Sequence, residues 1–419
     1  MEIKPVNHLH ATIEVPGSKS YTQRALVVAC LAEGRSNLSN ALVSEDIRYI
    51  VEALRFLGAE IIISGTDVAI TGTGGNIHNP GRVILLGNNG TALRFLTTLA
   101  ALGKGEYILD GKSGLRKRPL DPLLSALKIL GVESESRGGY PPVKIDAKGL
   151  RGGRAVFADV ESSQYISSLL IGAPYATGDI EIVLTGRTVS APYIDMTVDV
   201  MESFGAEVIM KQINSFKIRS GRHYTGRRYI IEGDASSASY FFLAAALCRG
   251  RVKVVNINPA SLQGDINILG IMEMLGCSVV RGDAWVEVTG GPLRAGDVVF
   301  DMGNMPDMVP TLAVLAAFRQ GQSIITNVSH LRIKESDRIA ALVNELRRIG
   351  IAAKETADGL IVAGGKPHGA CIETYDDHRI AMSFAIAGLA IPGIRIGDRN
   401  CVGKSFPGFW DELTRFYGD

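Results

Sequence analysis

Five cations carry the first chemical signal in this chain. Lys19, Arg118, Lys334, Arg379 and Lys404 each stand where the sequence pattern places the start of a helix. A helix N-terminus already carries partial positive charge, so one cation there costs about 0.3–1 kcal/mol and means little. Five in one chain imply that something anionic occupies the space in front of those helices. Other polar residues share the same addresses: Ser20 and Arg24; Asn88, Gly90 and Thr91; Ser162, Ser163 and Gln164; Ser190 and Tyr193; Asp307; Glu335 and Arg338; and His378. Backbone N–H groups, hydroxyls and fixed cations together make phosphate or carboxylate sites. The chemistry expected is the handling of a multiply anionic small molecule.

Several other residues read more plainly. Ser44, Asp46, Asp234, Ser236 and Asp265 are expected to cap helices or serve local structure. His8, His10, His78, His223 and His368 show no metal-ligand spacing. GTGG at 72–75 and GNNGTA at 87–92 match neither dinucleotide-binding nor P-loop patterns. Five scattered cysteines without a CxxC pair suggest reduced thiols, and a net charge of +1 gives no field directed at nucleic acid or a membrane. The N-terminal MEIKPVNHLH lacks the apolar core of a signal peptide. A cytoplasmic protein is expected.

The elements that must position these residues repeat. Gly34, Gly105, Gly178, Gly250, Gly321 and Gly393 follow small-residue helices at intervals of 71 to 73 residues. Gly58, Gly131, Gly205, Gly276, Gly350 and Gly418 follow amphipathic stretches at intervals of 68 to 74. Both series are expected to be C-caps requiring positive φ. A fixed period means one supersecondary unit copied along the chain. Residues 11–75 read as strand, apolar helix, strand, amphipathic helix and two strands, a βαβαββ unit of mixed α/β class. A helix apolar all round must be covered on every side. Six units therefore predict two similar domains of three repeats, each around a core of buried helices. Pro16-Gly17 and the polar GRHYTGRR stretch at 221–228 read as crossings, and sequence alone divides the chain once, near residue 225.

Eight ordered segments carry a resemblance: PGSKSYTQRAL (16–26), LGNNGTALRFL (86–96), SSQY (162–165), DASSASYFFLAAA (234–246), MPDMVPTLAVLAAF (305–318), LRIKESDR (331–338), DDHRIAM (376–382) and GKSFPGFW (403–410). They closely resemble the 5-enolpyruvylshikimate-3-phosphate synthase family, the 3-phosphoshikimate 1-carboxyvinyltransferases. The resemblance implies domains at 14–226 and at 1–13 with 227–419, and an active site between them. It implies transfer of the enolpyruvyl group of phosphoenolpyruvate to the 5-hydroxyl of shikimate 3-phosphate, with release of phosphate. This is a shikimate-pathway step toward chorismate and aromatic amino acids. A monomer is implied, needing no metal or organic cofactor.

By resemblance, Lys19, Ser20, Arg24, Ser162, Ser163, Gln164, Ser190, Tyr193, Asp307, His330 and Lys334 bind shikimate 3-phosphate. Lys19, Asn88, Gly90, Thr91, Arg118, Gln164, Arg338, His378, Arg379 and Lys404 bind phosphoenolpyruvate. Asp307 matches the family base and Glu335 the acid, with Lys19 a further proton carrier. A carboxylate donates only if its pKa is raised, and cations beside Glu335 would act the other way. The chain departs from the family pattern at His330, where some relatives carry Asn, and at Asn89 and Phe95, which flank Gly90. The related UDP-N-acetylglucosamine enolpyruvyltransferases use a loop cysteine that GKSGLRKRPL (111–120) lacks. A repeat-built binding protein without activity would need neither Asp307 nor Glu335 among so many cations.

Overall fold

A computed structural model describes residues 1–186, 190–212 and 214–417. The chain forms two compact units, Gly17–Ile231 and Met1–Pro16 with Glu232–Asp419. The crossings fall slightly beyond 13 and 226 because Arg228–Ile230 is a strand of the first unit, paired with Arg35–Ser39. On the other side, the Pro16 carbonyl accepts from the Asp234 amide of the second unit.

Gly17–Ile231 contains α1 (Lys19–Leu31), α2 (Glu45–Phe56), α3 (Gly90–Leu102), α4 (Asp121–Ile129), α5 (Ser163–Gly172) and α6 (Pro192–Ser203). Its three four-stranded sheets share one plan. Arg228–Ile230 runs parallel to Arg35–Ser39, then Asp67–Thr71 and Glu60–Ser64 follow antiparallel. Every residue of α1 from Tyr21 to Leu31 is buried. α2 instead buries Ile47, Ile50, Val51 and Leu54 and exposes Arg48, Glu52 and Arg55. The apolar helix is thus central and the amphipathic one peripheral, as the periodicity requires.

The second unit contains α7 (Ala235–Cys248), α8 (Ile268–Met274), α9 (Val309–Ala317), α10 (Arg338–Arg348), α11 (His378–Ala390) and α12 (Phe409–Thr414). α7, α9 and α11 pack mutually at its centre. His10–Ile13 pairs in parallel with Arg251–Val254, so the strands that open the first and fourth repeats trade sheets. Among the described residues, the sixth repeat contributes the two-stranded pair Cys371–Ile372 and Arg395–Ile396. The start of the chain lies antiparallel to the latter, with Ile3 N–H donating to Ile394 O at 2.9 Å and Ile396 N–H to Met1 O at 2.7 Å.

The two glycine series behave differently. Gly58, Gly131, Gly205, Gly276 and Gly350 all have positive φ, between 83° and 107°. In each case the next residue's N–H reaches back five positions, as Ala59 does to Leu54 O, which is a Schellman cap. Gly418 lies outside the described residues. In the first series Gly34, Gly105, Gly321 and Gly393 have the expected positive φ, between 81° and 98°, but they lie two or three residues past the helix C-caps. Gly178 and Gly250 are not among the positive-φ glycines; α7 ends instead on Arg249 at φ 51°. Gly105 and Gly321 already belong to the following strands. Among the described residues no helix is long and apolar enough to cross a membrane.

Candidate active site

In Gly17–Ile231 the polar residues form one connected group around the first turns of the central helices. Lys19 opens α1, and its ammonium lies 3.4 Å from an Asp46 carboxylate oxygen in the first turn of α2. The Asp46 carbonyl accepts from the Asn89 side chain at 2.9 Å. Asn89 caps α3, accepting from Ala92 N–H at 2.9 Å. Gly90 follows, and a Cβ there would sit 2.5 Å from Nη1 of both Arg94 and Arg118. Two guanidinium groups therefore flank one helix N-terminus. Burial lowers the Arg94 pKa, and the neighbouring Arg118 lowers it further. Only glycine leaves room there for a ligand to approach.

Arg24 is more unusual. It is 2% exposed and donates to Thr197 Oγ1 (2.8 Å), Ser20 O (3.0 Å), Tyr193 O (2.9 Å) and Ser167 Oγ (3.4 Å). None of these acceptors is a carboxylate. Its guanidinium stacks over Phe95 and Tyr193 at 5.4 and 5.7 Å, and burial pushes its pKa down to about 10. A buried cation held by neutral groups has electrostatic attraction left for an incoming anion. Ser190, at φ 58°, begins the turn whose Tyr193 carbonyl takes those bonds. Ser162 caps α5, accepting from Gln164 N–H at 3.3 Å; Ser163 is buried, and the Gln164 amide donates to Thr91 Oγ1 at 3.0 Å. Asn88 Oδ1 accepts from Leu115 N–H at 3.2 Å, fastening the loop that bears Arg118.

The second unit gathers charges of both signs. Asp307, in the 3-10 turn Pro306–Met308, accepts from Arg338 Nη1 at 2.9 Å and Arg379 Nη2 at 2.6 Å. Burial alone would raise its pKa. Arg379, Arg338 and Lys334 outweigh that and hold the carboxyl well below the usual range. Arg338, 1% exposed, also donates to Glu335 at 2.7 Å and to Asp377 at 2.8 Å. Burial would lower Arg338, but Asp377, Glu335 and Asp307 keep its pKa raised. Lys404 lies 3.4 Å from the other Glu335 oxygen. Asp377 caps α11 and accepts from Arg379 N–H at 3.0 Å. His378 is buried beside it, and His330 is buried in the 3-10 turn Ser329–Ile333 that precedes Lys334.

The helix-start address needs correction for three cations. Lys19 and Arg379 do lie in the first turns of α1 and α11. Arg118 and Lys334 instead follow 3-10 turns, and Lys404 ends one, ahead of α4, α10 and α12. Short 3-10 turns bridge strand to helix there, and the pattern alone merges them with the helix. Sequence reasoning places Arg94 at a helix start without a ligand, notes Asn89 only as a departure beside Gly90, and gives only local structure to Asp46, Ser236 and Asp265. The structure ties all five to the predicted residues. Asp234 does cap α7, accepting from Ser237 N–H at 2.7 Å. Among the described residues no group of three or more His, Cys, Asp or Glu could hold a metal ion.

Comparison with known proteins gives matches along the whole chain. The family described as EPSP synthase (3-phosphoshikimate 1-carboxyvinyltransferase) matches residues 3–413. A 3-phosphoshikimate 1-carboxyvinyltransferase of Trichormus variabilis is 43% identical over 411 residues, covering 97% of this chain and 96% of that one. One of Nostoc punctiforme is 43% identical over 422 residues, covering 100% and 98%. A solved structure of EPSP synthase from Acinetobacter baumannii aligns with a TM-score of 0.83 at 28% identity, covering 99% of this chain and 97% of that one. By its motifs, its repeat architecture and these full-length matches, the chain belongs to the EPSP synthase family.

Proposed function

We propose that this protein transfers the enolpyruvyl group of phosphoenolpyruvate to the 5-hydroxyl of shikimate 3-phosphate, releasing phosphate. The observation that carries the reading is the convergence of Arg338 and Arg379 on Asp307, with Lys404 and Arg338 on Glu335. Two carboxylates able to move protons sit among cations able to take up anions. Arg24, with Ser20, Ser162, Ser163, Ser190, Tyr193, His330 and Lys334, receives shikimate 3-phosphate. Gly90, Arg118, Arg338, Arg379 and Lys404, with Asn88, Thr91 and His378, receive phosphoenolpyruvate. Lys19 and Gln164 serve both ligands. Both sets take residues from Gly17–Ile231 and from the other unit.

The reaction needs the 5-hydroxyl to lose a proton as its oxygen bonds to C2 of phosphoenolpyruvate, while C3 gains one. The tetrahedral intermediate then loses phosphate and a C3 proton. Asp307 with both oxygens bound to guanidinium groups is a weak base. An arriving phosphate or carboxylate competes for Arg338 and Arg379, and the released carboxylate then accepts the hydroxyl proton. Glu335 and Lys19 are the groups available to the methylene carbon. As the C–O bond to phosphate breaks, the cations stabilise the growing charge. The protein acts as a cytoplasmic monomer without a cofactor.

Phosphate release assayed with shikimate 3-phosphate and phosphoenolpyruvate should show turnover, and UDP-N-acetylglucosamine as acceptor should show none. Turnover with the UDP-sugar alone would overturn the assignment. Binding of both anions without turnover would point to a non-catalytic protein.

A further inference from the structure

A further buried carboxylate stands beside Asp307 and Arg379. Asp265 lies in the 3-10 turn Gly264–Asn267 and is 3% exposed. Its Oδ2 accepts a short hydrogen bond from the Ser236 hydroxyl. The same Ser236 oxygen accepts from Arg379 Nη2 at 3.4 Å, and that nitrogen donates to Asp307 at 2.6 Å. A relay thus runs from Asp265 through Ser236 and Arg379 to Asp307. Since the Ser236 proton is committed to Asp265, the lone pairs of the hydroxyl are left to face Arg379. The other Asp265 oxygen is buried with no hydrogen-bond partner. A carboxylate left half satisfied in this way is costly when ionised and much less so when protonated.

We propose that Asp265 is a positioning residue for the transfer reaction, fixing Arg379 through Ser236 and taking up a proton when an anion arrives at Arg379. The charges facing it are Asp307 on its 3-10 turn, Arg379 on α11 and Asp234 ahead of α7. Burial first and Asp307 second push its pKa up to about 7, against Arg379 and the Ser236 hydroxyl. An anion bound at Arg379 adds negative charge nearby and raises the carboxyl further, so binding and protonation favour each other. Below about pH 7 the site meets its anion with Asp265 neutral; above it, one more negative charge opposes binding.

The inference rests on the reading that Arg379 meets phosphoenolpyruvate, and wild-type turnover checks that reading separately. The test is KM for phosphoenolpyruvate and kcat across pH for the full-length wild type, Asp265→Asn and Ser236→Ala. In the wild type KM should rise several-fold as pH passes about 7. Asp265→Asn keeps the acceptor for Ser236 but cannot ionise, so its KM should lose that rise. Ser236→Ala removes a bond that favours the ionised form, so the break should move to higher pH. Parallel profiles in wild type and Asp265→Asn would overturn the proposal. If Asp265→Asn does not fold, an unmoved break in Ser236→Ala would do so. An equal fall in thermal midpoint at every pH, with unchanged KM profiles, would also reduce Asp265 to a structural role.

Discussion

At the scale of single residues, the first unit is set apart by two buried arginines, Arg24 and Arg94, that donate to neutral acceptors. Arg24 illustrates why this matters, since four neutral acceptors orient its guanidinium without cancelling its charge. Lys19 differs from them, because Asp46 stands within 3.4 Å. Replacing Lys19 with Met should lower kcat/KM by roughly a hundredfold or more, the usual effect of removing a preorganised charge from a reacting centre. Steady-state kinetics with both substrates varied would check this, and near-wild-type turnover would mean Lys19 only anchors α2. Gly90→Ala tests the guanidinium pair. Its Cβ would push the flexible ends of Arg94 and Arg118 aside, so KM for phosphoenolpyruvate should rise about tenfold, or about 1.4 kcal/mol. KM for shikimate 3-phosphate should change far less, and equal shifts would refute the placement. The chain's departures from the family pattern also find their places here: Asn89 caps α3 and ties it to Asp46, while Phe95 lies beneath Arg24.

At the scale of elements, the repeat was legible because burial forces it on the sequence. Central helices must be apolar all round, peripheral ones apolar on one face, and the amphipathic helix must end on a residue that accepts positive φ. The Schellman glycines allow that last requirement to be measured. Gly205 has φ 97° and nothing within 4 Å of an added Cβ, so Gly205→Ala should cost only the left-handed strain, about 1 kcal/mol. At Gly276 a Cβ would also come within 2.6 Å of Pro292 O, so Gly276→Ala should cost clearly more. Urea unfolding of both variants would rank them, and equal losses would contradict the geometry. Less legible were the 3-10 turns carrying Arg118, Lys334 and Lys404, since so short a segment leaves no periodicity. The trade of strands between the first and fourth repeats was hidden for another reason. Pairing partners are chosen across the fold, and His10–Ile13 has the same alternation whichever sheet receives it.

At the scale of the whole molecule, the proposed reaction sets a condition that neither unit meets alone. Gly17–Ile231 holds Lys19, Arg24 and the Gly90 turn, whereas Asp307 and Glu335 belong to the other unit. Proton transfer needs donor and acceptor within about 3 Å, so both sets must meet the same bound ligands. The chain passes between the units only at Pro16–Gly17 and Ile231–Glu232. Each end is fastened to its own unit. Ile231 O accepts from the Asn40 side chain at 2.9 Å, and Pro16 O accepts from Asp234 N–H at 2.9 Å. A ligand-driven rearrangement would therefore be absorbed over very few residues, the usual hinge pattern. Small-angle scattering of the full chain should then show a smaller radius of gyration once shikimate 3-phosphate is added, and smaller still with phosphoenolpyruvate. Arg24→Ala should abolish the first change, because the anion would lose the buried cation that holds it. An unchanged radius with both substrates at saturating concentration, in an enzyme that turns over, would mean that the reaction needs no such movement.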